Sequence, residues 1–195
     1  MGLFSAKYCD ICDSKIGLLG NKKLEDGSMC KNCEKKLSPW FIERRESTQS
    51  EIKQQLSYRE ANKERVSAFR PTLTLGMDKK VMIDEAGGKF AVTSAKNLQE
   101  ENPDILSLTD VTGCDLDVDE KRTELMKEDS EGREVSYIPS RYEFSYDFNV
   151  NIKVNNPYFD SIKFKLNGYR VDGQSRLEYE KYKEMGEEIC KALGK

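Results

Sequence analysis

Cys9-x-x-Cys12 and Cys30-x-x-Cys33 set four thiols in two pairs with seventeen residues between them, a spacing that suits a four-thiolate zinc ribbon. Each pair can occupy a tight turn that aims two sulfurs at one point. The segment between them is long enough for a hairpin that brings the second turn opposite the first. Four thiolates fill the tetrahedron of one Zn2+ ion and leave no position for water or substrate, so the ion expected here is structural rather than catalytic. A redox dithiol is the first rival, but that motif is normally single and opens a helix in a βαβ pattern. Another metal such as iron is the second. Secreted disulfides are the third, and Met1 to Lys7 offers no apolar signal core or cleavage site. Thiols kept reduced in a cytoplasm are the economical expectation.

The rest of the chain is poor in catalytic chemistry. It has no histidine, which removes the commonest general base and the Ser-His and Cys-His nucleophile pairs. Asp115-x-Asp117-x-Asp119 looks like the start of a calcium loop, but Glu120 stands where the loop needs glycine and Met126 at its twelfth position. The three carboxylates alternate with Cys114, Leu116 and Val118, so they read as the exposed face of a strand. An enzyme using that face is the least favoured reading. Gly87-Gly88-Lys89 lacks the remaining residues of a phosphate loop and reads as a hairpin turn. Cys114 and Cys190 fall in phase with apolar neighbours and read as buried small apolar residues.

Charge bears on partners. Residues 1–66 hold 13 Lys+Arg against 10 Asp+Glu, a balance of +3, and the remainder holds 19 against 25, or -6. A zinc tetrathiolate adds about -2 to the first part, so the filled ribbon is close to neutral. Lys35, Lys36, Arg44 and Arg45 are the nearest approach to a nucleic-acid footprint, and a solvated helix face accounts for them equally. Lys7, Lys15, Lys31 and Lys35 lie near the thiolates in sequence and can moderate their charge. With 34% charged residues, a mean hydropathy of -0.74 and no long apolar run, no membrane span is expected.

The elements that would position these residues follow from periodicity. Asn21 to Ser28 carries an Asp-Gly turn and predicts the hairpin between the cysteine pairs. Glu34 to Leu37 makes a helical turn stopped by Ser38-Pro39, and the adjacent Trp40 and Phe41 cap the ribbon or dock it on its neighbour. Thr48 and Glu51 form a capping box for one helix ending before Pro71. Ile52, Leu56, Val66 and Phe69 are its main apolar residues, so it reads as a spacer, or as a helix that pairs with a second copy or another protein. Beyond Pro71 the period becomes two: Val81 and Ile83, then Phe90 and Val92 across Glu85–Gly88, then Tyr142 to Val154 without a break, then Ile162 to Leu166. Tyr182, Met185, Ile189 and Leu193 return to helical spacing near the end.

The fold class expected is α+β: a small zinc ribbon at 1–37, a polar linker helix region at 38–70, and a β-rich domain at 71–195, an antiparallel barrel or sandwich closed by a C-terminal helix. Tyr8-Cys9-Asp10-Ile11-Cys12, Lys15 to Gly27 and Cys30-Lys31-Asn32-Cys33 resemble a bacterial zinc-ribbon family known as domain of unknown function 4428. The resemblance is strong through about Leu37 and reaches on into Leu37 to Phe41 and Ile52 to Leu56. It implies zinc binding and a bacterial cytoplasmic or phage-related setting, and supplies no activity. About seven strands followed by one helix is similar in element order to a pleckstrin-homology-like domain. A non-enzymatic protein-binding adaptor with one structural zinc is the function expected, nucleic-acid binding through the ribbon being the alternative.

Overall fold

The computed structural model describes residues 7–194. In the first part, β1 (Asn21–Lys23) and β2 (Ser28–Cys30) form the expected antiparallel hairpin, with Asn21 opposite Cys30. The short α1 (Lys31–Glu34) follows directly, and Cys30 is its N-cap. Leu24 and Met29 are fully buried beneath the hairpin with Ile16 and Leu37, and Ile52 completes the cluster from the next helix. A ribbon of this size has little apolar surface of its own to bury.

That helix, α2 (Gln49–Ala68), carries the expected capping box between Thr48 and Glu51. Its role differs from a spacer. Ile52, Gln55, Arg59, Asn62 and Val66 recur every three or four residues on one buried face, and the centre of that face is polar. Arg59 Nη1 meets Asp104 Oδ1 at 2.7 Å, and Ser38 Oγ donates to Asp104 Oδ2, also at 2.7 Å. Arg59 donates as well to the carbonyls of Asn102 and Lys36. The Asn62 amide donates to Pro103 O at 2.7 Å and accepts from the Ile105 N–H at 3.0 Å. Low apolar content makes the helix look solvated, yet its buried Arg59 and Asn62 bond to the segment 102–105.

Burial pushes the Asp104 carboxyl above the usual carboxylate range, while Arg59 pulls it down. Removing one member of such a pair leaves the other desolvated and uncompensated, at a cost of about 3–5 kcal/mol. Arg59→Ala is therefore expected to lower unfolding stability by about that amount, read as a shift of the denaturant midpoint. Pairing Arg59→Met with Asp104→Leu should recover most of it. A single variant as stable as the parent would mean that the pair is solvated in practice.

The remaining elements are β3 (Leu73–Gly76), β4 (Lys80–Asp84), β5 (Lys89–Thr93), α3 (Leu98–Glu101), β6 (Leu106–Ser107), β7 (Val111–Glu128), β8 (Glu134–Asn156), β9 (Phe159–Lys165), β10 (Val171–Asp172) and α4 (Arg176–Ala192). One antiparallel sheet has the order β3-β4-β5-β6. In the other, β8 is central: β7 takes one edge, and β9 and β10 share the opposite edge end to end. Val81, Ile83 and Phe90 from the first sheet and Phe148, Val150 and Ile152 from the second belong to one buried cluster. Tyr182, Ile189 and Leu193 of α4 join it, as their spacing predicts. No strand pair among the described residues closes the sheets into a barrel.

Cys114 and Cys190 correct the reading of two independent apolar thiols, because they are joined in a disulfide, Cα to Cα 5.2 Å. The alternation that turns Cys114 toward the core face of β7 also turns it toward α4. The link closes a loop of 76 residues and fixes α4 to the sheet. Four residues earlier on α4, Gly186 lets helix and strand approach: a Cβ there would stand 2.5 Å from Leu116 Cδ1.

The hairpin of β7 and β8 extends beyond the unbroken alternation seen in the sequence. Their pairing runs on past Glu124 opposite Tyr142 to Glu128 opposite Glu134. The register steps from Leu125 opposite Arg141 to Met126 opposite Ser136, so residues 137–140 of β8 have no partner on β7. Pro139, which has no N–H to offer a ladder, falls in that irregularity, and Ile138 beside it is 97% exposed.

Candidate metal centre

The first cysteine pair is held against the second by the hairpin. The Asp10 N–H donates to Ser28 O at 2.9 Å, and Asp10 Oδ2 accepts from the Ser28 N–H at 2.7 Å. Asp13, at φ 57°, takes the left-handed conformation that closes the first turn, and its N–H reaches Cys9 O at 2.8 Å. The four Sγ atoms consequently lie within 4.8 Å of one another. Cys9 and Cys33 are 3.9 Å apart at sulfur, and Cys12 and Cys30 3.7 Å. A tetrahedron with metal–sulfur bonds of about 2.3 Å has edges of about 3.8 Å, so the set is suited to a single ion.

Backbone donors serve the sulfurs. The Cys30 N–H donates to Cys9 Sγ at 3.2 Å, and the Cys33 N–H to Cys30 Sγ at 3.4 Å; such bonds favour the thiolate form. Cys9, Cys30 and Cys33 are buried and Cys12 is exposed. Hydrogen bonds from Ser14 hold the Cys12 thiol down at about 6, whereas burial pushes that of Cys33 well up. Binding an ion would displace the remaining protons.

Of the four basic residues named as a nucleic-acid footprint, Lys35, Lys36 and Arg45 are exposed. Arg44 is committed within the ribbon, its Nε 3.1 Å from Glu34 and its Nη1 donating to Lys23 O at 2.6 Å. Glu34 also binds Lys22, at 2.8 Å. The acidic strand face is where alternation puts it: Asp115, Asp117 and Asp119 are exposed, with Asp115 paired to Lys153 and Asp119 to Arg170.

Trp40 and Phe41 divide between neighbours: Trp40 packs on the β-sheet core and Phe41 on the ribbon core. Phe41 meets the edge of Tyr158 with ring centroids 6.5 Å apart, and Tyr58 of α2 lies 5.0 Å from Tyr158. Beside them runs a groove of about 620 Å³ bordered by Pro39, Ile42, Glu51, Pro157 and Asp160. Ile42 is 87% exposed at its margin. Sequence reasoning named the Trp-Phe pair but missed Tyr58 and Tyr158, which are distant in the chain.

A family described as a domain of unknown function (DUF4428) matches residues 7–55. The match takes in all four cysteines and ends two turns into α2, beyond the Ile52 that completes the ribbon cluster. Neither a curated protein nor a solved structure matches the chain. No helix among the described residues is long and apolar enough to cross a membrane.

Proposed function

We propose that this chain is a non-enzymatic interaction protein whose ribbon is stabilised by one structural zinc ion. The observation that carries the proposal is the closed set of four thiol donors within 4.8 Å, which favours Zn2+ by its softness and leaves no ligand position for substrate. The absence of histidine from the whole sequence supports a binding role over acid–base chemistry. The four strands β3 to β6 in one sheet, the four strands β7 to β10 in the next, and α4 after them are, but for the two-residue β10, similar in order to a pleckstrin-homology-like domain. That likeness supports reading residues 71–195 as an interaction domain, and the aromatic groove beside Ile42 as the surface a protein partner would use.

Purified protein should contain about one zinc per chain by elemental analysis. Capture from extracts of the native cell should then be compared between the parent and Ile42→Glu, with and without nuclease. Partners that survive nuclease and are lost on Ile42→Glu support the proposal. Capture that needs nucleic acid and disappears when Lys35, Lys36, Arg44 and Arg45 become alanine would move the function to the ribbon's basic side chains.

A further inference from the structure

The outer edge of β7 is free. Among the described residues β7 pairs with β8 alone, along all of its 18 residues but Thr112. β10 supports β8 only at Ser145 and Tyr146, and β9 begins opposite Asn149, so beyond Lys121 the hairpin has no third strand. From Asp119 to Glu128 every residue of β7 is exposed except the half-buried Leu125. A two-stranded ribbon is marginal in water, and a long open edge is a template for another strand. Proline and the unpaired residues, devices that blunt an edge, stand on β8. What decides the partner of β7 is therefore its charge pattern.

Two copies of a strand related by a two-fold axis normal to the sheet pair antiparallel about a central residue that faces its own copy. With Thr123 at the centre, Arg122 stands opposite Glu124 and Asp119 opposite Lys127, each twice, and no like charges meet. About every other centre from Asp115 to Glu124, like charges oppose each other: the central residue against its own copy, Asp115 against Asp117 about Leu116, or Asp117 against Asp119 about Val118. About Leu125 no like charges meet either, but only residues 122–128 of the strand would pair, against 118–128 about Thr123. Arg122 already lies over the Tyr142 ring, its Cζ 3.5 Å from the centroid, on the face it would share with Glu124 of the second copy.

We propose that β7 pairs with β7 of a second copy about Thr123, giving a closed dimer with a continuous sheet of strand order β8-β7-β7-β8. Opposed charges and a Thr–Thr pair at the axis favour this register, and its two-fold symmetry stops growth at two chains. The inference is independent of the metal and of the groove.

Sedimentation equilibrium on the full metal-loaded chain tests it. The parent should form a dimer of the 22.4 kDa chain at micromolar concentration. Arg122→Glu and Glu124→Arg should each weaken the dimer by roughly tenfold or more, because each sets two like pairs across the axis. The double exchange Arg122→Glu with Glu124→Arg should restore it. Both side chains are exposed, and unchanged circular dichroism and zinc content will exclude misfolding. Thr123→Cys should give a disulfide-linked dimer under mild oxidation that the parent does not. A parent that is monomeric at about 100 µM, a dimer indifferent to the single exchanges, or a double variant as weak as either single one would overturn the proposal.

Discussion

Cys12→Ser is expected to lose the metal and unfold the ribbon while the sheets and α4 stay folded. Cys12 is exposed, and serine is nearly isosteric, so the substitution opens no cavity in the apolar cluster. Any large effect must come from the fourth ligand. Structural zinc contributes about 10–16 kcal/mol of apparent binding free energy in small domains, as much as a whole domain's net stability of about 5–15 kcal/mol. The ribbon cluster around Leu24 and Met29 is too small to stand without it. The other large cluster, built on Phe148, Val150 and Ile152, has no cysteine ligand in it. Hydrogen exchange should therefore show protection lost over residues 7–37 and at the Ile52 end of α2, and retained in β8. Simultaneous loss in β8 would show that the ribbon and the sheets fold as one unit.

The features legible in the sequence are those specified by neighbours along the chain. The cysteine spacing, the Asp26-Gly27 hairpin and the Thr48–Glu51 cap each need only a few consecutive residues, and all are present. The alternation from Tyr142 to Val154 lies wholly within β8. What escaped depends on pairs far apart. Arg59 is polar, so hydrophobic periodicity assigns it to solvent; Asp104, 45 residues later, makes it a core residue. Cys114 and Cys190 have the right phases for their elements, but only the packing of α4 on β7 says that those phases converge. Strands β6 and β10, of two residues each, are too short to express a period. The four-cysteine site was readable because its ligands come in local pairs. The groove was not, since Phe41, Tyr58 and Tyr158 meet only in three dimensions.

Phe148→Asp should be the most damaging single change outside the ribbon. Phe148 is fully buried, with ring centroids 5.1 Å from Tyr179 and 5.7 Å from Tyr182 of α4. Its backbone N–H is accepted by Asn167 Oδ1 at 2.9 Å, so the local backbone is fixed and gives the new side chain little means of turning outward. A carboxylate there stands buried against the rings of Tyr179 and Tyr182, and must either protonate or expel α4 from the sheet. Either course forfeits more than about 4 kcal/mol, enough to leave the β-rich part largely unfolded at neutral pH. Phe148→Leu separates charge from volume: it keeps the site apolar and should cost only about 1–2 kcal/mol. Denaturant midpoints of the two variants, with tyrosine near-ultraviolet dichroism reporting Tyr179 and Tyr182, measure the contrast. A soluble aspartate variant with the parent's midpoint would mean that this face of β8 is wet. The shared core of the two sheets would then have to be redrawn around the opposite face of the strand.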